Sequence, residues 1–530
     1  MKARFSIYLA KDIKTGTDQV LNLERVKPPI RLDITDTDSY LYIKEETEPQ
    51  IPEWASIFFA IKPDIPNNAF GKNSSTGAVL SVKYKRYHFL MPFGTGHHLI
   101  NDMYIVQGFG LKVTLNSIGK DRIRSVDKSN HNETSLLTRN QSSKEVSIYN
   151  LKIDSELDFL TTLTGVCTEE LLGDKVTGRD ALVLTPDFEL NKFASILHAI
   201  IDLYNKPLPN EFEWVNNIKQ ADQEEIQILD MILEERLIHK DLEGIWLGEP
   251  EIVDWEKQIG YCFHRGSRSP IYTTLFISNL LEHMAKRELN IENLKRQKIF
   301  SINEQYETIS TWSAYRCIYA EINDGRSDYV LRNGVWYKAN RDFIDSINNE
   351  IAKIEDYHHS ALLPIYKFDY EADYLIDVCQ QNNDFTLMDQ KFIHHGGQYS
   401  RVEYCDLMKG PTTLIHVKYY TGSQSMSHLF SQAYISAELL IGDNIFRQKL
   451  NDKLSDSLKF ADPNLRPVAK DFNIIFAIAT ENKIPHGLPI FSKINLKNFY
   501  KSLSNFGFNV SICKIDIDDN IYKKKLQKPN

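Results

Sequence analysis

An acid at the end of one apolar run and a lysine late in the next, Asp406 and Lys418, are the residues of this chain best suited by type and spacing to act on a phosphodiester. Such a bond is cut by an in-line water while carboxylate-bound Mg²⁺ (or Mn²⁺) neutralises the developing charge and a lysine orients or activates the water. Asp406 is accordingly the expected metal ligand and Lys418 the expected base or water positioner. Within Ile415-His416-Val417-Lys418, strand alternation puts His416 and Lys418 on one face and Ile415 and Val417 on the other. A neutral imidazole is a poor ligand for Mg²⁺, so His416 is expected to assist while a second acid completes the site. Glu403 is one candidate; in a regular strand it points away from Asp406, so both reach one ion only if the strand bulges or bends. Glu371, on the preceding helical stretch, is the other. Ser425, His428 and Gln432 follow at helical spacing near a helix start, where a phosphate can be held.

Positioning these side chains requires a sheet with helices against it. A helix-like stretch carrying Glu371, Asp373 and Asp377 is followed by three strand candidates, 385–392, 401–408 and 413–420. A helix over about 425–440 and a strand over 473–479, apolar throughout after Asn473, come next. The order α-β-β-β-α-β, with an acid on the second strand and a lysine late on the third, resembles the core of the PD-(D/E)xK nucleases. His416 stands where that motif usually has Asp or Glu. The resemblance implies a restriction-endonuclease-like domain over 361–530, a Mg²⁺-dependent endonuclease activity, and DNA or RNA as partner.

The whole chain reads as an α+β multidomain protein, since 530 residues exceed what one hydrophobic core organises. Short period-two bursts such as Phe5-Ser6-Ile7-Tyr8-Leu9 predict a β-rich N-terminal domain over 1–147, closed by a polar linker from Lys120 to Ser147. A mixed α/β middle region follows over 148–360. Helical spacing predicts helices at 193–204 and 226–238, within a stretch that a polar loop at 172–180 interrupts. That loop is not a phosphate-binding Walker sequence, because the G-x-x-x-x-G-K-[ST] spacing is absent. Near 315–340 the Asp324-Gly325 and Asn333-Gly334 pairs predict a β-meander, with a helix over 342–355 after it.

A net charge of −9 argues against a protein that coats nucleic acid over its whole surface, leaving a local basic groove as the expected contact. The six cysteines are dispersed with no CxxC pair, which points to reduced, buried thiols and not to zinc or a redox motif. No apolar run is long enough to cross a bilayer, so a cytoplasmic protein without a membrane partner is expected.

Taken together, Phe109-Gly110-Leu111-Lys112, Val176-Thr177-Gly178-Arg179-Asp180, Gly334-Val335-Trp336-Tyr337, Leu414 to Lys418 and Ser427-His428-Leu429-Phe430-Ser431-Gln432 resemble a sporadically distributed, largely uncharacterised bacterial family of similar length, found among mobile and phage-defence genes. The resemblance implies that His416 belongs to the family's own H-x-K version of the strand. It also implies a defence effector whose earlier domains sense, gate or bind substrate, with an activating protein or phage component as a further partner. The competing reading is a noncatalytic nucleic-acid-binding or scaffold protein with a degenerate nuclease-like fold, favoured by the missing acid.

Overall fold

The computed structural model describes residues 4–526 except 47–48, 50, 52–54, 67, 73, 131–135, 188, 190–191, 256, 266–268, 286, 304–307, 325–326, 358–362 and 395–400. Its N-terminal layer is an antiparallel sheet of ten strands. The strand Phe5–Leu9 lies at its centre, between Tyr87–Gly94 and Leu182–Leu184. The stretch expected as a linker is instead a long hairpin, Ile118–Asn130 with Leu136–Val146. Its polar composition misled because cross-strand charge pairing takes the place of apolar contact. Arg139 donates to both carboxylate oxygens of Asp127 at 2.7 and 2.6 Å, and Lys128 reaches Asp158 at 2.5 Å.

The sheet also runs past the boundary expected at residue 147. Asp158–Cys167, Lys175–Gly178 and Leu182–Leu184 are three of its strands, and its apolar core extends to helix Phe193–Asn205 and Phe212. The polar loop expected at 172–180 thus contains a central strand. Two of the motif stretches meet there. A side chain at Gly178 would strike the Gly110 carbonyl oxygen at 2.1 Å, and one at Gly110 the Ala181 carbonyl oxygen at 2.1 Å. Glycine lets the helix Phe109–Ser117 lie directly on the strand backbone.

In the middle region the meander is present as Ile318–Asn323, Asp328–Arg332 and Val335–Ala339, flanked by Ile218–Gln220 and Ile245–Leu247. Asn333 (φ 50°) and Gly334 (φ 73°) make its tight turn; the Asp-Gly turn before it lies partly outside the described residues. Helix Gln223–Ile238 starts at a capping box formed by Asp222 and Glu225. A second sheet, Gly260–Cys262, Lys298–Ile302 and Thr308–Ser313, completes the region. The helix expected over 342–355 ends earlier, as Arg341–Ile351, and Glu355–Asp356 already joins the C-terminal sheet.

That last sheet carries the order expected of it: α1 (Glu371–Gln381), β1 (Phe385–Leu387), β2 (Leu407–Lys409), β3 (Thr413–Tyr419), α2 (Ser423–Gly442) and β4 (Asn473–Ala479). Helix α3 (Ile490–Phe506) and strand β5 (Asn509–Ile515) follow. Strand order is β1-β2-β3-β4-β5 and then Glu355–Asp356; β3 to β5 and the edge strand are parallel, while β1 and β2 run antiparallel to their neighbours. Alternation divides β3 between two cores. Leu414 packs with Phe430 and Phe476 on the side of α2 and α3, and Ile415 and Val417 pack with Tyr374 of α1 on the other. Among the described residues no helix is long and apolar enough to cross a membrane.

Candidate functional site

The strand expected at 401–408 is broken, and the break makes the site. Arg401–Val402 pairs with Ile393–His394 in a separate ribbon, residues 403–406 lie outside any strand, and β2 begins only at Leu407. Period-two alternation therefore does not hold across Glu403 and Asp406, and their carboxylates are free to converge. A third acid joins them: the carboxylate oxygens of Asp389, Glu403 and Asp406 lie within 4.8 Å of one another. Asp389 follows the short β1 on a turn whose next residue, Gln390, has φ 61°.

Asp406 is 8% exposed, and its carboxylate accepts from the Val417 backbone N–H at 2.6 Å. Its backbone is fixed as well. Its N–H donates to the Ile415 carbonyl at 3.1 Å, while its own carbonyl accepts from Met388 and Asp389 at 2.9 and 3.1 Å. Burial raises its proton affinity well above the usual carboxylate range; the Val417 N–H opposes this, and the charges of Glu403, Glu371 and Asp389 add to it. Glu403, also raised chiefly by burial, accepts from the Gln390 N–H and from the Gln432 side chain, each at 2.5 Å. All these donors are neutral or fixed dipoles, so among the described residues three carboxylates meet without a cation of the chain among their hydrogen-bond partners. Such a set either holds protons or takes up a positive ion, and hard divalent cations favour all-oxygen donors.

Lys418 and Glu371 form a second unit beside the first. The Lys418 ammonium lies 2.6 Å from one Glu371 oxygen, and the other accepts from the Tyr419 N–H at 3.0 Å. Glu371, expected as a metal ligand, is thus engaged by the lysine and the strand backbone. Its charge is still felt at Asp406. His416 is wholly buried, neither ring nitrogen has a partner among the described residues, and burial lowers its pKa to about 3. It is a neutral ring on the core face shared with Leu414, and it makes no polar contact with the site.

Of the three helix residues expected to hold substrate, Gln432 reaches the site through Glu403. Ser425 is spent locally, donating to the Gly422 carbonyl at 2.8 Å and accepting from the Thr421 N–H at 3.1 Å. His428 is exposed. Asp389 was missed because 385–392 read as one strand. The polar Asp389-Gln390 pair after apolar Phe385 to Met388 was the available sign of a turn.

No curated protein matches this chain, and no solved structure does. One family model does, over residues 5–516, and the chain therefore belongs to the Family of unknown function (DUF6119).

Proposed function

We propose that this chain is a divalent-metal-dependent nuclease, a cytoplasmic effector of bacterial antiphage defence that hydrolyses phosphodiesters in DNA or RNA through its PD-(D/E)xK-like C-terminal domain. The observation that carries the reading is the convergence of Asp389, Glu403 and Asp406 within 4.8 Å at the break before β2, on a sheet with the α-β-β-β-α-β order. These three acids would hold Mg²⁺ or Mn²⁺, which when bound polarises a phosphate oxygen and lowers the pKa of a coordinated water. Gln432 fixes the orientation of Glu403, and the Val417 N–H that of Asp406. An ammonium paired with a carboxylate has donors and no lone pair, so Lys418 orients water or a phosphate oxygen, and its pairing with Glu371 keeps it at the strand end.

One observation favours a noncatalytic nucleic-acid-binding or scaffold role instead: His416, at the position of the usual second acid, is buried without a polar partner. Incubating the protein with plasmid, linear duplex and RNA in Mg²⁺ and Mn²⁺ separates the two. The nuclease reading expects cleavage that Asp406→Asn and Lys418→Ala abolish and that His416→Leu preserves. Equal cleavage by the Asp406 and Lys418 variants would show that the centre lies elsewhere. Absence of cleavage on every substrate favours the scaffold.

A further inference from the structure

A cleft of about 440 Å³ in the middle region lies among the helices Ile277–Met284 and Ile291–Arg296 and the strand Lys298–Ile302. That volume falls in the range of small-molecule sites. His264, Arg287, Arg296 and Lys298 line it, all four exposed, and no acid is among its described lining residues. In a chain of net charge −9 such a grouping runs against the general balance. The adjacent Lys295 closes on Asp230 at 3.1 Å, whereas neither Arg296 nor Lys298 pairs with a carboxylate among the described residues.

One buried amide builds the cleft. The Gln297 side chain donates to the carbonyls of Phe263 and Lys298 at 2.6 and 2.8 Å, and its oxygen accepts from Arg287 at 3.0 Å. A single side chain thereby ties three walls together and holds a guanidinium at the rim. The local field is positive: the proton affinity of His283 is lowered first by burial, then by Arg287, and further by His264, with a hydrogen bond to Gln297 opposing.

We propose that this cleft binds a compact polyphosphate anion, either a nucleoside di- or triphosphate or a free polyphosphate. Guanidinium forks and an ammonium in one recess match adjacent phosphoryl groups, which offer several acceptor oxygens at short spacing. A nucleic-acid track would spread its cations along a stripe instead. The site shares no residue with the carboxylate cluster, so it stands whether or not the C-terminal domain cuts.

Calorimetric titration of the full chain with ATP, GTP, inorganic triphosphate, adenosine and a single-stranded oligonucleotide, in EDTA to keep the carboxylate cluster out of the readout, tests this. Expected are saturable binding of ATP, GTP or triphosphate at low salt, weaker binding at higher salt, and none of adenosine. The double variant R296Q/K298Q, altering two exposed side chains, should lose at least tenfold in affinity at an unchanged thermal midpoint. Triphosphate binding as well as ATP would mean that the phosphates alone are read; tighter ATP would add recognition of the nucleoside. The proposal is overturned if none of the three anions binds, if the double variant binds equally, or if only the oligonucleotide binds and the anions do not displace it.

Discussion

Helix α2 donates side-chain hydrogen bonds to two carboxylates in very different settings, one buried and one half-buried. At its start, Ser423 donates at 2.6 Å to Glu321 of the meander, at the contact between the middle and C-terminal regions. Nine residues on, roughly 13 Å along the axis, Gln432 donates to Glu403 of the acidic cluster. Glu321 shares its network with one other acid, Asp328, which Lys493 balances at 3.3 Å; Ser492 bonds Ser423 at 2.9 Å and Asn495 donates to Ser427 at 2.7 Å, while the second Glu321 oxygen has no partner among the described residues. Burial lifts its pKa to about 7, with Ser423 opposing and Asp328 adding. The first setting can be neutralised by one proton. The second, with three acids and neutral donors, needs either more than one proton or a cation to be balanced. Burial alone thus does not mark a site; the count of uncompensated charges does.

The largest expected effect separates the two by metal. Mg²⁺ or Mn²⁺ at a hundredfold excess over its dissociation constant should stabilise the wild type by about 2.7 kcal/mol, and Asp406→Asn should remove that response. The same variant should lower cleavage by about a thousandfold or more. Calorimetric melts with and without metal, beside the cleavage assay, check this. A metal response that survives in Asp406→Asn but disappears in Glu321→Gln would reverse the comparison.

Next comes pH. The folded-state pKa of Glu321 lies above its unfolded value of 4.5, so the folded chain binds the extra proton, and stability present below pH 4.5 is lost as pH rises through about 7. The size is on the order of 3 kcal/mol, and Glu321→Gln should remove that slope while leaving the metal response intact. Glu243, also raised to about 7 by burial, titrates in the same window, so part of the slope should persist. Denaturant melts between pH 4.5 and 8 give the measurement.

Smaller again is Gln432→Ala, which strips Glu403 of a donor. About 1–2 kcal/mol of stability should go, together with part of the metal response, whereas Ser423→Ala should cost a similar amount and leave metal binding alone. Smallest is His428→Ala: an exposed side chain outside both networks should change stability by less than about 0.5 kcal/mol and cleavage not at all. A large loss of activity there would restore His428 to the site.

How much of this could be read from the residues differs by region for physical reasons. The run 473–479, Asn473 followed by six apolar residues, became β4 with the bounds expected, because a strand buried on both faces leaves no other use for six such residues. The meander was equally legible from its Asn-Gly turn. The hairpin of 118–146 was not, since Asp127 and Arg139 tie its strands and Lys128 and Asp158 tie it to the next strand, residues whose types taken singly belong to loops. At the acidic cluster, Asp406 and Glu403 were named and the condition for their carboxylates to meet was stated; whether the strand would bend was not legible, as the break depends on pairing between 393–394 and 401–402. His416 was legible in position and not in environment, because a strand's alternation says which face a side chain takes and not what packs over that face.

The N-terminal sheet has a consequence for how the chain is made. Phe5 pairs with Leu184, and Tyr8 with Leu90, so this strand is made about 180 residues before the strand that closes its second edge. At about 5–20 residues per second, synthesis takes on the order of 10–35 s to supply the closing strand. For that interval the backbone groups of Phe5 to Ile7 that Leu182 to Leu184 will pair have no partner strand, and the sheet cannot close until translation has passed residue 184.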